Sequence, residues 1–247
     1  MLIGRHRLRT HAGLPNGSTC NLGSDLRIYY KYNTEVAAAL WGDQSPNNLD
    51  ATQETSELEP TLADGGALDF EDTNDPETAS SMGFTKFTIS ANEDFLSFIV
   101  CKLETNSTVC YLSDSGAEVL QFTSGNQHQL KTGAGASAMT HSGVFTCGTG
   151  ERMVFMIHRT NGATGTIKLY KNGLLCNGHN NSGTTNNGAF ELQNLGVKNN
   201  PSSESNWFDG IMYEVGVIKG SVATDKNRDM ITDYLCCKFG IKREGNN

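Results

Sequence analysis

Short β-prone runs separated by glycine- and asparagine-rich turns recur along most of this chain, and that alternation constrains the fold more than any other feature. The runs cover residues 25–32, 66–70, 84–90, 94–104, 108–114, 118–124, 128–132, 152–160, 166–176, 190–197 and 208–220. The run at 94–104 is almost continuously apolar, as a central strand buried on both faces should be. In 166–176, Ile167 and Leu169 fall on one face and Thr166 and Lys168 on the other, and Asn172-Gly173 supplies a tight turn that accepts positive φ. The 27 glycines fit many such turns. One helix is expected, at the end: Thr224 as N-cap, an apolar stripe of Met230, Ile231, Tyr234 and Leu235, Lys238 in the last turn and Gly240 as the stop. The fold class is therefore all-β, an antiparallel β-sandwich with one short C-terminal helix closing an end or an edge. Residues 41–66 read as one long polar loop.

Net charge is −8, but residues 1–32 carry +4, through Arg5, Arg7, Arg9, Arg27 and Lys31 against Asp25 alone. An acidic body excludes nucleic acid as the main partner, since phosphate binding needs a basic face. Residues 1–24 show no strand or helix period and read as an extended basic arm, with the sandwich over 25–247. Arg5, Arg7 and Arg9 are its candidate docking residues on an acidic partner. No apolar run is long enough to span a membrane, and the N-terminus lacks the apolar core of a signal peptide. Synthesis in a cytoplasm without export, and no membrane partner, are expected. The seven cysteines, odd in number and without metal spacing, are expected to be free thiols.

Four segments, in order, resemble concanavalin A-like lectin/glucanase domains of the laminin-G-like jelly-roll kind. The first is Trp41-x-Asp43-x-Ser45-x-Asn47-Asn48-x-Asp50-Ala51-Thr52-Gln53 with Pro60-Thr61, where Pro46 replaces a frequent glycine. Ala67-Leu68-Asp69-Phe70 looks like the next strand of that family, and Tyr170-Lys171-Asn172-Gly173 its hairpin turn. Asp209-Gly210-Ile211 with Glu214-Val215, then Ile231-x-x-Tyr234-Leu235-x-x-Lys238-Phe239-Gly240, resembles its closing strand and helix. This last signature is most similar to domains of tailed-bacteriophage structural proteins. The resemblance implies a jelly roll used in adhesion, glycan binding or virion architecture. It leads to the expectation of a non-enzymatic virion protein, in an oligomeric assembly with other virion proteins, on the capsid or the tail. The alternative is a lectin module for bacterial surface polysaccharide; a glycoside hydrolase ranks third.

For chemistry, no strand carries the E-x-D-x-x-E pattern that aligns two carboxylates on one face, so no enzyme is expected. Glu57, Glu59, Glu93 and Asp94 read as solvated loop charges and His158 as a half-buried strand histidine. No cofactor is expected. Asp43, Asn47, Asn48 and Asp50 lack the regularity of a calcium loop and read as turn stabilisers, so no metal is expected either. A saccharide site would use the amides and imidazole of Asn177, His179, Asn180 and Asn181 and the ring of Trp207, although turn-building and core packing also account for these residues.

Overall fold

The computed structural model describes residues 22–73, 75, 77–114, 118–123, 127–133, 139–140, 149–160, 166–176, 188–198 and 205–244. The first strands are β1 (Leu26–Tyr30), β2 (Val36–Ala37), β3 (Leu40–Trp41), β4 (Ala51–Thr52), β5 (Thr61–Ala63) and β6 (Ala67–Phe70). The middle of the chain gives β7 (Met82–Ile89), β8 (Phe95–Leu103), β9 (Val109–Ser113), β10 (Glu118–Thr123), β11 (Gln127–Thr132) and β12 (Met139–Thr140). Then follow β13 (Arg152–Thr160), β14 (Thr166–Lys171), β15 (Leu174–Leu175), β16 (Phe190–Leu195), β17 (Gly210–Lys219) and the helix α1 (Asp225–Phe239).

Every strand pairing among the described residues is antiparallel. An eight-stranded sheet runs β15-β14-β13-β8-β17-β6-β5, with β1 also paired to β17; a nine-stranded sheet runs β12-β11-β10-β9-β16-β7-β4-β3-β2. This is the expected sandwich with its single C-terminal helix. The apolar run at β8 takes the centre of the first sheet, between β13 and β17. Its Phe95, Ile99, Cys101 and Leu103 join the core between the sheets, while Leu96, Phe98 and Val100 join a second cluster on the far face. Two buried faces explain why its sequence does not alternate. No helix of the described residues is long and apolar enough to cross a membrane.

That second cluster is where α1 lies, which corrects the expectation of a helix at an end or edge. Ile231, Leu235 and Cys236 pack with Leu96, Phe98, Val154 and Met156 on the outer face of the eight-stranded sheet. Thr224 Oγ1 accepts from Asn227 N at 3.2 Å, and Gly240 ends the helix at φ 65°. A bulge between Met212 and Glu214 turns both Tyr213 and Glu214 outward. Glu214, wholly buried, meets Lys238 of the helix and the Tyr29 hydroxyl. Burial pushes the Glu214 carboxyl up and the Lys238 amine down, and their mutual attraction opposes both shifts.

Residues 41–66 are not one irregular loop. They contain β4, β5 and a clasp built on Asp43. Its carboxylate accepts from Tyr29 N (2.7 Å), Ser45 N (2.9 Å), Ser45 Oγ (2.6 Å) and Leu49 N (2.8 Å). Asp50 Oδ1 accepts from Asp43 N at 2.8 Å, and Asn47 Nδ2 donates to Leu26 O at 2.6 Å. Charge-assisted bonds of this number tie the loop between the sheets and fix where β4 starts. The cysteines among the described residues are free thiols.

Candidate functional site

Not every sequence candidate falls within the described residues. Asn177, His179, Asn180 and Asn181, and the arm residues Arg5, Arg7 and Arg9, lie outside the described residues. Trp207 is only 7% exposed and packs against Ala79 and Val197, so it offers no open ring face to a sugar. His158 is fully rather than half buried, its Nε2 2.7 Å from Ala223 O and its Nδ1 3.4 Å from Asp225. Burial pushes its pKa down, which suits a neutral ring that anchors the approach to α1. Glu93 bonds Ser90 N at 2.8 Å and pairs with Lys219 at 3.3 Å. Asp43, Asn47 and Asp50 are occupied by the clasp.

The outer face of the nine-stranded sheet is different. Where β16, β7 and β4 run side by side, Met82, Phe84, Phe87 and Leu192 point into the core. Thr52, Gln53, Gly83, Thr85, Gln193 and Asn194 line an open trough of about 690 Å³. Gln53 is braced, donating from Nε2 to Ser81 O at 2.8 Å and accepting from Thr55 N at 3.0 Å. The Gln193 amide and the Thr52 and Thr85 hydroxyls have no hydrogen-bond partner among the described residues. Gly83 leaves the floor open, since a Cβ there would approach nothing nearer than Gln193 O at 4.0 Å.

Asn194 links the trough to a second feature, donating from Nδ2 to Asp114 O at 2.8 Å. Asp114 follows β9, Glu118 opens β10 and Glu191 lies on β16; one carboxylate oxygen from each falls within 4.8 Å of the others. Lys86 of β7 pairs with Glu191 at 2.8 Å and stands 4.0 Å from Asp114. Glu191 Oε1 also accepts from Thr88 Oγ1 at 3.2 Å, and Glu118 Oε2 accepts from Glu191 N at 3.3 Å. Burial, and then the neighbouring Asp114 and Glu191 charges, push the Glu118 carboxyl up, although the bond from Glu191 N opposes this. The Lys86 hydrogen bond holds Glu191 down. Burial and hydrogen bonding thus pull Glu118 and Glu191 in opposite directions.

The expectation of a chain without enzymatic machinery is corrected here. It rested on the absence of an in-strand carboxylate pair, and the end of β9 with strands β10 and β16 brings together carboxylates that no single strand carries. A sandwich of similar fold also makes up part of a solved sialidase.

No protein-family model matches the chain, and no curated protein matches it. Solved structures match its fold. One is domain 4 of AbnA, a GH43 extracellular arabinanase from Geobacillus stearothermophilus, in complex with arabinotriose: TM-score 0.56, 17% identity, covering 84% of this chain and 97% of that domain. Another is Trypanosoma rangeli sialidase in complex with sialic acid, at TM-score 0.54 and 10% identity, covering 87% of this chain and 33% of the sialidase. A third is the binding domain of Paraclostridial Mosquitocidal Protein 1, at TM-score 0.57 and 14% identity, covering 86% of this chain and 53% of that one. This chain thus spans about a third of the sialidase and about half of the toxin domain. At these identities the likeness establishes fold: a jelly-roll-like β-sandwich of a kind found in carbohydrate-associated proteins. These structures lend no support to the narrower likeness to tailed-phage proteins.

Proposed function

We propose that this chain is a carbohydrate-binding module whose saccharide lies along the trough on the outer face of the nine-stranded sheet. The observation that carries this reading is the row of unspent polar groups there. Thr52, Thr85 and Gln193 present two hydroxyls and an amide with no partner among the described residues, on a floor that Gly83 keeps low. Sugars are recognised by such convergent neutral donors and acceptors in a concave, pre-formed site. The likeness to an arabinanase domain in complex with arabinotriose supports the same reading. Glu54 lines the trough, and Asp114, Glu118 and Glu191 outnumber Lys86 in the cluster next to Asn194, so anionic sugars are repelled and neutral ones preferred.

A glycan array probed with the intact chain tests this. Neutral oligosaccharides are expected to bind and sialylated ones to be weaker. Gly83→Leu, which projects a side chain into space without meeting the backbone, is expected to weaken the hits about tenfold or more while leaving thermal stability intact, a loss of about 1.4 kcal/mol or more. An array without hits, or hits indifferent to Gly83→Leu, would contradict the proposal.

The setting we favour for such a module is outward display on a tailed-phage particle, with bacterial surface polysaccharide as ligand and the basic residues Arg5, Arg7 and Arg9 docked on other virion proteins. What supports this setting is the C-terminal Tyr234-Leu235…Phe239-Gly240 resemblance and the charge of the first residues.

A further inference from the structure

We propose that Asp114, Glu118 and Glu191 form a calcium site beside the saccharide trough. The three carboxylates converge from the residue after β9, from β10 and from β16, with one oxygen of each within 4.8 Å of the others. Convergence of acids alone does not make a site; the state of Asp114 adds the second observation. Asp114 is only 6% exposed, and its buried Oδ1 accepts no hydrogen bond among the described residues. A buried carboxylate oxygen without a donor is costly, and the Asp114 carboxylate stands beside those of Glu118 and Glu191, which adds repulsion. The cation at hand is Lys86, which gives its short contact to Glu191 and reaches Asp114 only at 4.0 Å. Its side chain is 46% exposed, so it is free to swing into solvent. Three acids against one ammonium leave an excess of negative charge that a divalent cation would neutralise.

The donor set is oxygen only, which selects a hard cation, and three carboxylates with water on the open side suit the six to eight ligands and loose geometry of calcium better than the strict octahedron of magnesium. Bound calcium would hold Asp114, whose carbonyl accepts from Asn194 Nδ2 at 2.8 Å, and so brace one wall of the trough. Only this coupling rests on the proposed saccharide site.

The test is isothermal titration of the intact, EDTA-treated protein with calcium chloride and, separately, magnesium chloride, with no sugar present. One calcium per chain, a saturable rise in Tm, and binding at least about tenfold weaker in Asp114→Asn and Glu118→Gln are expected, a difference of about 1.4 kcal/mol. Lys86→Met, which removes the competing ammonium and no ligand, is expected to bind calcium more tightly. No calcium heat in the wild type, or heat unchanged in both Asp114→Asn and Lys86→Met, would overturn the site. Calcium binding without any glycan hit leaves the cation site standing and removes the saccharide reading; glycan hits without calcium binding do the reverse.

Discussion

Asp209 shows how a single side chain records its surroundings. It lies just before β17 near Asp69, Glu71, Asp72 and Glu104, and burial, then these like charges, raise its pKa to about 6 from 3.8. Asp69 is raised to about 6 by burial and then by Glu104 and Glu71. A folded pKa above the unfolded one means that the folded chain holds the proton more tightly. The contribution to stability is therefore complete below about pH 3.8 and disappears as pH rises through about 6. Asp209→Asn is expected to raise Tm at pH 7 by about 1–2 °C, since solvent screens a partly exposed group, and to change nothing at pH 3.5. Calorimetry at the two pH values checks this; an unchanged or lower Tm at pH 7 would contradict it. The sequence pattern concealed this cluster, because its members come from separate segments that only the sheet order brings together.

Among elements, α1 and β17 depend on each other. The bulge that turns Glu214 outward would leave a carboxylate in the apolar cluster beneath the helix, were Lys238 and Tyr29 not there to meet it. Lys238, expected from sequence to favour the helix dipole, thus has a particular partner across the packing interface. Lys238→Met should cost about 3 kcal/mol near pH 8, since it leaves the buried Glu214 carboxyl without its cation. The cost should be smaller at pH 5 than at pH 8, because burial already raises the Glu214 carboxyl and a protonated carboxyl needs no cation. Urea unfolding at both pH values measures it, with Glu214→Gln/Lys238→Met expected to recover most of the loss; a pH-independent loss would sink the assignment. Element types were legible because local rules set them. The period of the strands, the Thr224 cap, the Gly240 stop and the Asn172-Gly173 turn (φ 49° and 87°) all act within a few residues. The place of the helix was not, since a stripe of apolar residues says that a face is buried and not against what. The two-sided burial of β8 held the missing information: an uninterrupted apolar strand needs a cover on each side.

At the scale of the whole molecule, the two sheets divide the work. The eight-stranded sheet spends its outer face on the helix, and the nine-stranded sheet keeps its outer face polar and open along β16, β7 and β4. Sequence inspection sought a site in the asparagine-rich loop at 177–181 and in Trp207, because amides and a ring advertise themselves. The trough is made of ordinary Thr, Gln and Asn residues on strands, conspicuous only once their inward neighbours are known to fill the core. Likewise Glu118 and Glu191 lie 73 residues apart, so no in-strand motif brings out the acid cluster. The most direct test of the central claim is backbone amide NMR of the intact chain, titrated with the neutral oligosaccharide that binds best. The account predicts shifts concentrated at Thr52, Gln53, Gly83, Thr85, Gln193 and Asn194. Shifts centred instead on α1 or around Trp207, with the amides of β7 and β16 unmoved, would contradict it.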